Sequence, residues 1–188
     1  MVRTFVALLI PEPWIEYLAA VERDLKPLTS GLSWVKPENL HLTVRFLGDL
    51  GDSGVRRAGA AVTRGAAEAP AIRASIGGLG AFPNAHRPRV LWAGLGEGAE
   101  ESKGVARSIN DCLKQDGFGP ADKPFKPHLT LARVREGATG LDSFRAYRLP
   151  RAPASGWLDR VVLMKSDLHP TGSRYTPLLE IRLRKPEL

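Results

Sequence analysis

One cysteine among 188 residues excludes an intramolecular disulfide framework and any cysteine-rich metal cluster. That residue, Cys112, falls on the inward face of an expected helix with Val105 and Ile109, so it reads as a buried structural thiol rather than a nucleophile. No apolar run approaches the roughly 20 residues a membrane helix needs, and no low-complexity tract or long linker divides the chain. An HExxH motif and a histidine pair at i, i+4 are both missing, which leaves zinc hydrolysis with little support. The opening stretch Arg3 to Leu9 is apolar, but Pro11-Glu12-Pro13-Trp14 stands where a signal peptide would need small residues. It reads as a buried first strand, and with the single cysteine it favours a reducing cytoplasm.

What is present is ordinary for a globular chain: 43% hydrophobic and 25% charged residues, enough for one domain or one domain of two similar lobes. The net charge of +7 and pI near 9.9 suit a polyanionic partner. Lys and Arg are scattered, with no basic run of five, so a plain basic surface carries about equal weight.

Periodicity gives a strand over Arg3–Leu9, then a helix from Glu12 in which Trp14, Leu18, Val21 and Leu25 recur and which Pro27 ends. Leu32–Val35 is extended, and Leu40–Leu47 is a strand closed by Gly48. A second helix, capped by Asp52 or Ser53, runs with Val55, Ala58 and Val62 inward until Pro70. An edge strand over Ala71–Leu79 and a loop lead to the strand Val90–Leu95, followed by a helix from Ala99 to Gln115. His128–Val134 is a further strand, and residues 137–156 read as loop with at most one edge strand. Trp157–Lys165 and Tyr175–Leu183 are strands around a turn at 166–173. The mixture indicates an α+β fold with mostly antiparallel sheet.

The one internal repeat is His41-Leu42-Thr43-Val44 and His128-Leu129-Thr130-Leu131, separated by 128 − 41 = 87 residues, close to half the chain. Residues i and i+2 of a strand share a face, so each copy aims His and Thr at a cavity and sends its apolar residues into a core. Two imidazoles with ordinary pKa values near 6.5 can serve as base and acid near neutrality. Two hydroxyls beside them can donate to phosphoryl oxygens. Phosphodiester cleavage fits that set, with water deprotonated on one side and a sugar oxygen protonated on the other.

The chain resembles the 2H phosphoesterase superfamily, specifically the RNA 2′,3′-cyclic phosphodiesterases, also called 2′-5′ RNA ligases. The likeness rests on both HxTx motifs and on their flanks: Arg3-Thr4-Phe5-Val6-Ala7, Phe46-Leu47-Gly48, Pro88-Arg89-Val90-Leu91-Trp92 and Phe125-Lys126-Pro127. It implies a bilobal fold over residues 1–188, two pseudo-symmetric lobes of mostly antiparallel sheet with flanking helices around a central cleft. It also implies hydrolysis of terminal 2′,3′-cyclic phosphates to 2′-phosphomonoesters with neither metal nor cofactor, and 2′-5′ ligation in reverse. By resemblance His41 is the proton donor to the leaving 3′ oxygen, His128 the proton acceptor for water, and Thr43 and Thr130 hold the phosphate. The spacing alone leaves the two histidines equivalent. The expected partners are RNA ends or small cyclic nucleotides, with no membrane, and the chain is expected to act as a monomer.

Arg133 matches an arginine of the second motif and is the first candidate for substrate contact. In a regular strand it faces away from His128, so that role requires a bulge, twist or strand end. Arg45 shares parity with His41 and Thr43 and is a weaker phosphate candidate. Phe5 and Trp92 could stack on a base, although core packing suits both better. His86 reads as exposed, and His169, Ser173, Arg174 and Tyr175 border the cleft without an assigned role. The stretch Gly94-Leu95-Gly96-Glu97-Gly98-Ala99 satisfies a nucleotide-binding glycine pattern, but Glu97, Glu100 and Glu101 would repel a pyrophosphate, so a turn is the better reading. The competing function is a non-catalytic module of the same fold that binds RNA ends.

Overall fold

The structure, a computed structural model, describes residues 1–170 and 172–185. Strand β1 (Val2–Leu9) is buried on both faces, as a strand with neighbours on either side must be. Pro11 is extended and Pro13 occupies the first turn of α1 (Glu12–Leu25), a position where a missing N–H costs nothing. Trp14, Leu18, Val21 and Leu25 form its buried stripe. There follow β2 (Ser30–Trp34), a short turn of helix at Pro37–Asn39, β3 (His41–Leu50) and α2 (Asp52–Ala66). Next come β4 (Ile72–Ala74), β5 (Ile76–Phe82), β6 (Val90–Leu95) and α3 (Ala99–Leu113). The chain continues through β7 (His128–Thr139), α4 (Leu141–Ala146), β8 (Gly156–Leu158), β9 (Arg160–His169) and β10 (Gly172–Arg182).

The main sheet has the order β10-β9-β1-β3-β7-β6-β5, with β2 added to the far half of β7, while β4 and β8 form a separate pair. Every pairing between these strands is antiparallel. One face carries the core: Val6, Leu8, Leu42, Val44, Leu91, Ala93, Leu129 and Leu131 pack with the stripes of α1, α2 and α3. The opposite face buries a smaller group, Phe5, Ala7 and Val162, with Leu9, Met164 and Tyr175 against it. That second face is the cleft.

At the centre β3 and β7 pair only through Leu42 and Leu129. Around this point the two halves repeat. Ala7 and Leu9 of β1 stand opposite Thr43 and His41, as Trp92 and Gly94 of β6 stand opposite Thr130 and His128. The expected α+β class and antiparallel sheet are therefore present, with the helices on one face only.

Three expectations require correction. Ala71–Leu79 is two strands belonging to different sheets, and Ala71, Ile72, Ala74 and Ile76 are buried. Ser75 breaks the run because its N–H and C=O bond Glu97 O and Gly96 N, across the chain rather than along a strand. Residues 137–156 contain α4, which starts after Gly140 at φ 75 and is anchored by the buried Phe144. The expected turn at 166–173 is mostly strand, since pairing continues to His169 and Gly172; its Thr171 lies outside the described residues. Cys112 packs against the core only half-buried. Among the described residues, no helix is long and apolar enough to cross a membrane.

Candidate active site

Each HxT strand opens the same way. His41 Nδ1 lies 2.7 Å from Asn39 O and His128 Nδ1 lies 2.6 Å from Lys126 O. A carbonyl can only accept, so both Nδ1 atoms carry the hydrogen and both Nε2 atoms present a lone pair. The carbonyl two residues before each histidine thus fixes its tautomer, a role that has no side-chain signature in the sequence.

The two Nε2 atoms differ in their company. Thr43 Oγ1 donates to His41 Nε2 at 2.9 Å, whereas among the described residues His128 Nε2 and the Thr130 hydroxyl make no such bond. Burial pushes the His41 pKa down to about 4, opposed by its bond to Asn39 and reinforced by the charge of His128. His128 is also lowered, by burial first and by the neighbouring Lys126 charge last, against the effect of its backbone bond. Antiparallel pairing about Leu42 and Leu129 points His41 toward Thr130 and Thr43 toward His128, so the four side chains share the cleft face.

Aromatic rings seat each imidazole. Phe5 lies 4.9 Å from His41 and Tyr175 lies 5.4 Å away edge-on. Phe82 meets His128 at 4.9 Å, with Trp92 behind at 6.2 Å. Phe5 is 1% exposed and floors the cleft, whereas Trp92 is half-buried on its wall. The Trp92 ring covers Gly80 closely enough that a Cβ there would stand 2.2 Å from it, so glycine is required. Phe82 was missed in the sequence because it sits at the end of β5, where loop was expected.

The arginines are settled by one irregularity that both halves share. Pairing of β1 with β3 skips Val44 between Thr43 and Arg45, and pairing of β6 with β7 skips Leu131 between Thr130 and Ala132. A bulge of one residue reverses the parity of everything beyond it. Arg133 therefore returns to the cleft face, where it is exposed beside Val90 and Ser33. Arg45, expected to face the phosphate, is instead turned into the core side. It is 8% exposed and its Nη2 donates to the carbonyls of Phe118, Gly119 and Pro120 at 2.7, 3.0 and 3.1 Å.

His86 and the glycine-rich stretch Gly94–Ala99 fall outside the cleft, whereas His169, Ser173, Arg174 and Tyr175 line a hollow beside Asn39. His86 is exposed in the Asn84 turn. In the glycine-rich stretch, Gly96 N–H bonds Ser75 O and Glu97 N–H bonds Ser75 Oγ, so the donors a phosphate would need are already used. Among the described residues no three His, Cys, Asp or Glu side chains gather as a metal-binding group.

The model of the family described as LigT-like phosphoesterases matches residues 8–92, a span holding the first HxT strand. Similarity to individual proteins runs further. The RNA 2′,3′-cyclic phosphodiesterase of Methanothermobacter thermautotrophicus is 31% identical over 97% of this chain and 99% of its own. That of Thermus thermophilus is 32% identical over 97% of this chain and 90% of its own. Among solved structures, TT0787 of Thermus thermophilus superposes with a TM-score of 0.79 at 30% identity, covering 98% of this chain and 100% of that one. LigT of E. coli complexed with 3′-AMP has a TM-score of 0.77 at 24% identity over 97% of this chain and 98% of that one, a likeness of fold.

Proposed function

Because the chain belongs to the LigT-like phosphoesterase family, we propose that it is an RNA 2′,3′-cyclic phosphodiesterase using His41 and His128 as an acid–base pair. The observation that carries this reading is the duplicated geometry: two imidazoles with Nδ1 tied to backbone, both Nε2 lone pairs presented to one cleft, each with a threonine hydroxyl beside it. We read residues 1–188 as one bilobal unit acting as a monomer in the cytoplasm, on RNA ends or small cyclic nucleotides, with no metal.

A cyclic phosphate lies between the histidines with Thr43 and Thr130 donating to its free oxygens. His128 Nε2 removes a proton from water as the water oxygen bonds phosphorus, and the bond from phosphorus to O3′ breaks. His41, protonated on Nε2, gives its proton to O3′, leaving a 2′-phosphomonoester and a 3′ hydroxyl. A pKa near 4 leaves His41 neutral in the free protein at pH 7. Entry of the anionic substrate offsets the burial that lowers it, and Thr43 turns from Nε2 to the phosphate. Arg133, exposed on the same face, adds a positive charge for the strand.

The test is turnover of a short RNA with a 2′,3′-cyclic phosphate in the presence of EDTA, with the product resolved as a 2′ or 3′ monophosphate. The 2′ product, lost in both His41→Ala and His128→Ala, is expected. A 3′ product would reverse the acid and base, and binding without turnover would return the protein to a non-catalytic role.

A further inference from the structure

We propose that a polar hollow beside His41 is a subsite for the phosphodiester one nucleotide upstream of the cyclic phosphate, held by Lys36 and Arg174. The inference rests on the acid–base assignment above. In-line displacement puts attacking water and leaving oxygen on opposite sides of phosphorus. The ribose that keeps O3′ therefore lies on the side of the acid, His41, and its 5′ chain continues outward from there. The side of His128 needs to admit only water, and there Phe82 and Trp92 flank the imidazole.

On the His41 side the surface opens into a hollow of about 520 Å³ whose walls include Lys36, Glu38, Asn39, His169, Arg174 and Tyr175. It adjoins the catalytic imidazole through two residues. Asn39 accepts from His41 Nδ1 with its carbonyl and ties the wall to β10 by donating Nδ2–H to Ser173 O at 2.7 Å. Tyr175 reaches His41 edge-on. Alternation along β10 splits its side chains: Ser173 and Tyr175 are half-buried, while Gly172 and Arg174 take the other face. A Cβ on Gly172 would stand 3.8 Å from Lys36 Cε, so Lys36 lies over the face that Arg174 shares.

Lys36 and Arg174 are exposed, and among the described residues neither forms an ion pair. Among the described residues Glu38 is the one carboxylate in the wall, and Asp167, across from Arg174, is already paired with Lys165 at 3.1 Å. Two cations against one carboxylate favour a singly charged diester or a 5′ phosphate. A nucleoside 2′,3′-cyclic phosphate lacking a 5′ phosphate would leave the hollow empty.

The experiment compares kcat/KM for a nucleoside 2′,3′-cyclic phosphate with and without a 5′ phosphate. The unmutated protein is expected to prefer the 5′-phosphorylated form by about tenfold or more, the scale of one or two hydrogen bonds to a charged group. In Lys36→Gln/Arg174→Gln that ratio should fall toward one. Lys36→Arg should keep it, and so should Lys103→Gln/Arg107→Gln, which removes equal charge on α3. A ratio near one in the unmutated protein, or an unchanged ratio in the double variant, would remove the subsite and leave the proposed function standing. Failure to turn over either substrate would remove both.

Discussion

The half of the cleft built on β1 and β3 and the half built on β6 and β7 share a backbone and differ in what it carries. Both place a histidine opposite the neighbouring strand, a threonine two residues on, and a bulge immediately after. Past the bulge the halves part: the core side receives Arg45 in one and Ala132 in the other, and the cleft side receives Phe46 and Arg133. Opposite the threonine stands Ala7 in one half and Trp92 in the other. Pairing geometry is thus repeated for the groups proposed to act on phosphorus, and asymmetry comes from side chains one or two positions away. The strongest way to break the comparison is to delete each histidine. His41→Ala and His128→Ala should each lower kcat by about 10²–10⁴, and the double variant should lose little more than either alone. Single-turnover kinetics on cyclic-phosphate RNA measures this, and one variant retaining full rate would mean that only one half is catalytic.

The next largest effect concerns stability. Arg45 is buried and binds three carbonyls of the segment after α3, so Arg45→Met leaves those acceptors unpaired in a space shaped for a guanidinium. The expected cost is about 2–4 kcal/mol, read from urea denaturation. Its counterpart Ala132 is fully buried, with no polar partner to lose, so Ala132→Gly should cost about 1 kcal/mol. Catalysis in Arg45→Met at low temperature should be largely retained, because its charge points away from the cleft.

The same bulge explains how much was legible beforehand. The strands carrying His41 and His128, the shared face of each His and Thr, and the antiparallel α+β architecture follow from local pattern, which strand parity reads well. Parity beyond the bulges does not, because skipping Val44 and Leu131 is decided by partners β1 and β6, distant in sequence. Arg45 was therefore placed on the wrong face, and Arg133 needed a bulge the sequence could not show. Helix α4 escaped notice because it is six residues long with one buried anchor, Phe144, too short to develop a period. The break between β4 and β5 depends on Ser75 bonding residues 96 and 97, again a contact absent from the local pattern.

A smaller effect separates the two residues that emerge beyond the bulges on the cleft face. Phe46 is 59% exposed and lies 5.8 Å from Phe5, while Arg133 is exposed at the matching place in the other half. Arg133→Gln should raise KM for an RNA substrate about tenfold, with kcat changed less, and the loss should shrink as salt rises. Phe46→Leu should raise KM only about two- to threefold, independent of salt, since it removes contact area and no charge. Equal salt dependence in both variants would mean that Arg133 does not meet the strand.

The smallest effect is a difference in pH dependence of stability between the histidines. An unfolded histidine titrates near 6.5, while burial holds His41 in the fold down to about 4. Folding then favours the neutral form, so the contribution of His41 is fully present above pH 6.5. It declines as the unfolded chain takes up the proton, and it is gone once pH has fallen through the folded value near 4. His128 is lowered by the same cause and slopes in the same direction, but it lacks the hydroxyl donor that engages Nε2 of His41. Unfolding free energies at pH 7, 5.5 and 4.5 should show that His41→Asn flattens the decline by on the order of 1 kcal/mol and His128→Asn by less. Acids elsewhere titrate alike in all three proteins and cancel in the comparison. A greater flattening in His128→Asn would mean that the second half, for all its exposure, holds the more strongly desolvated imidazole.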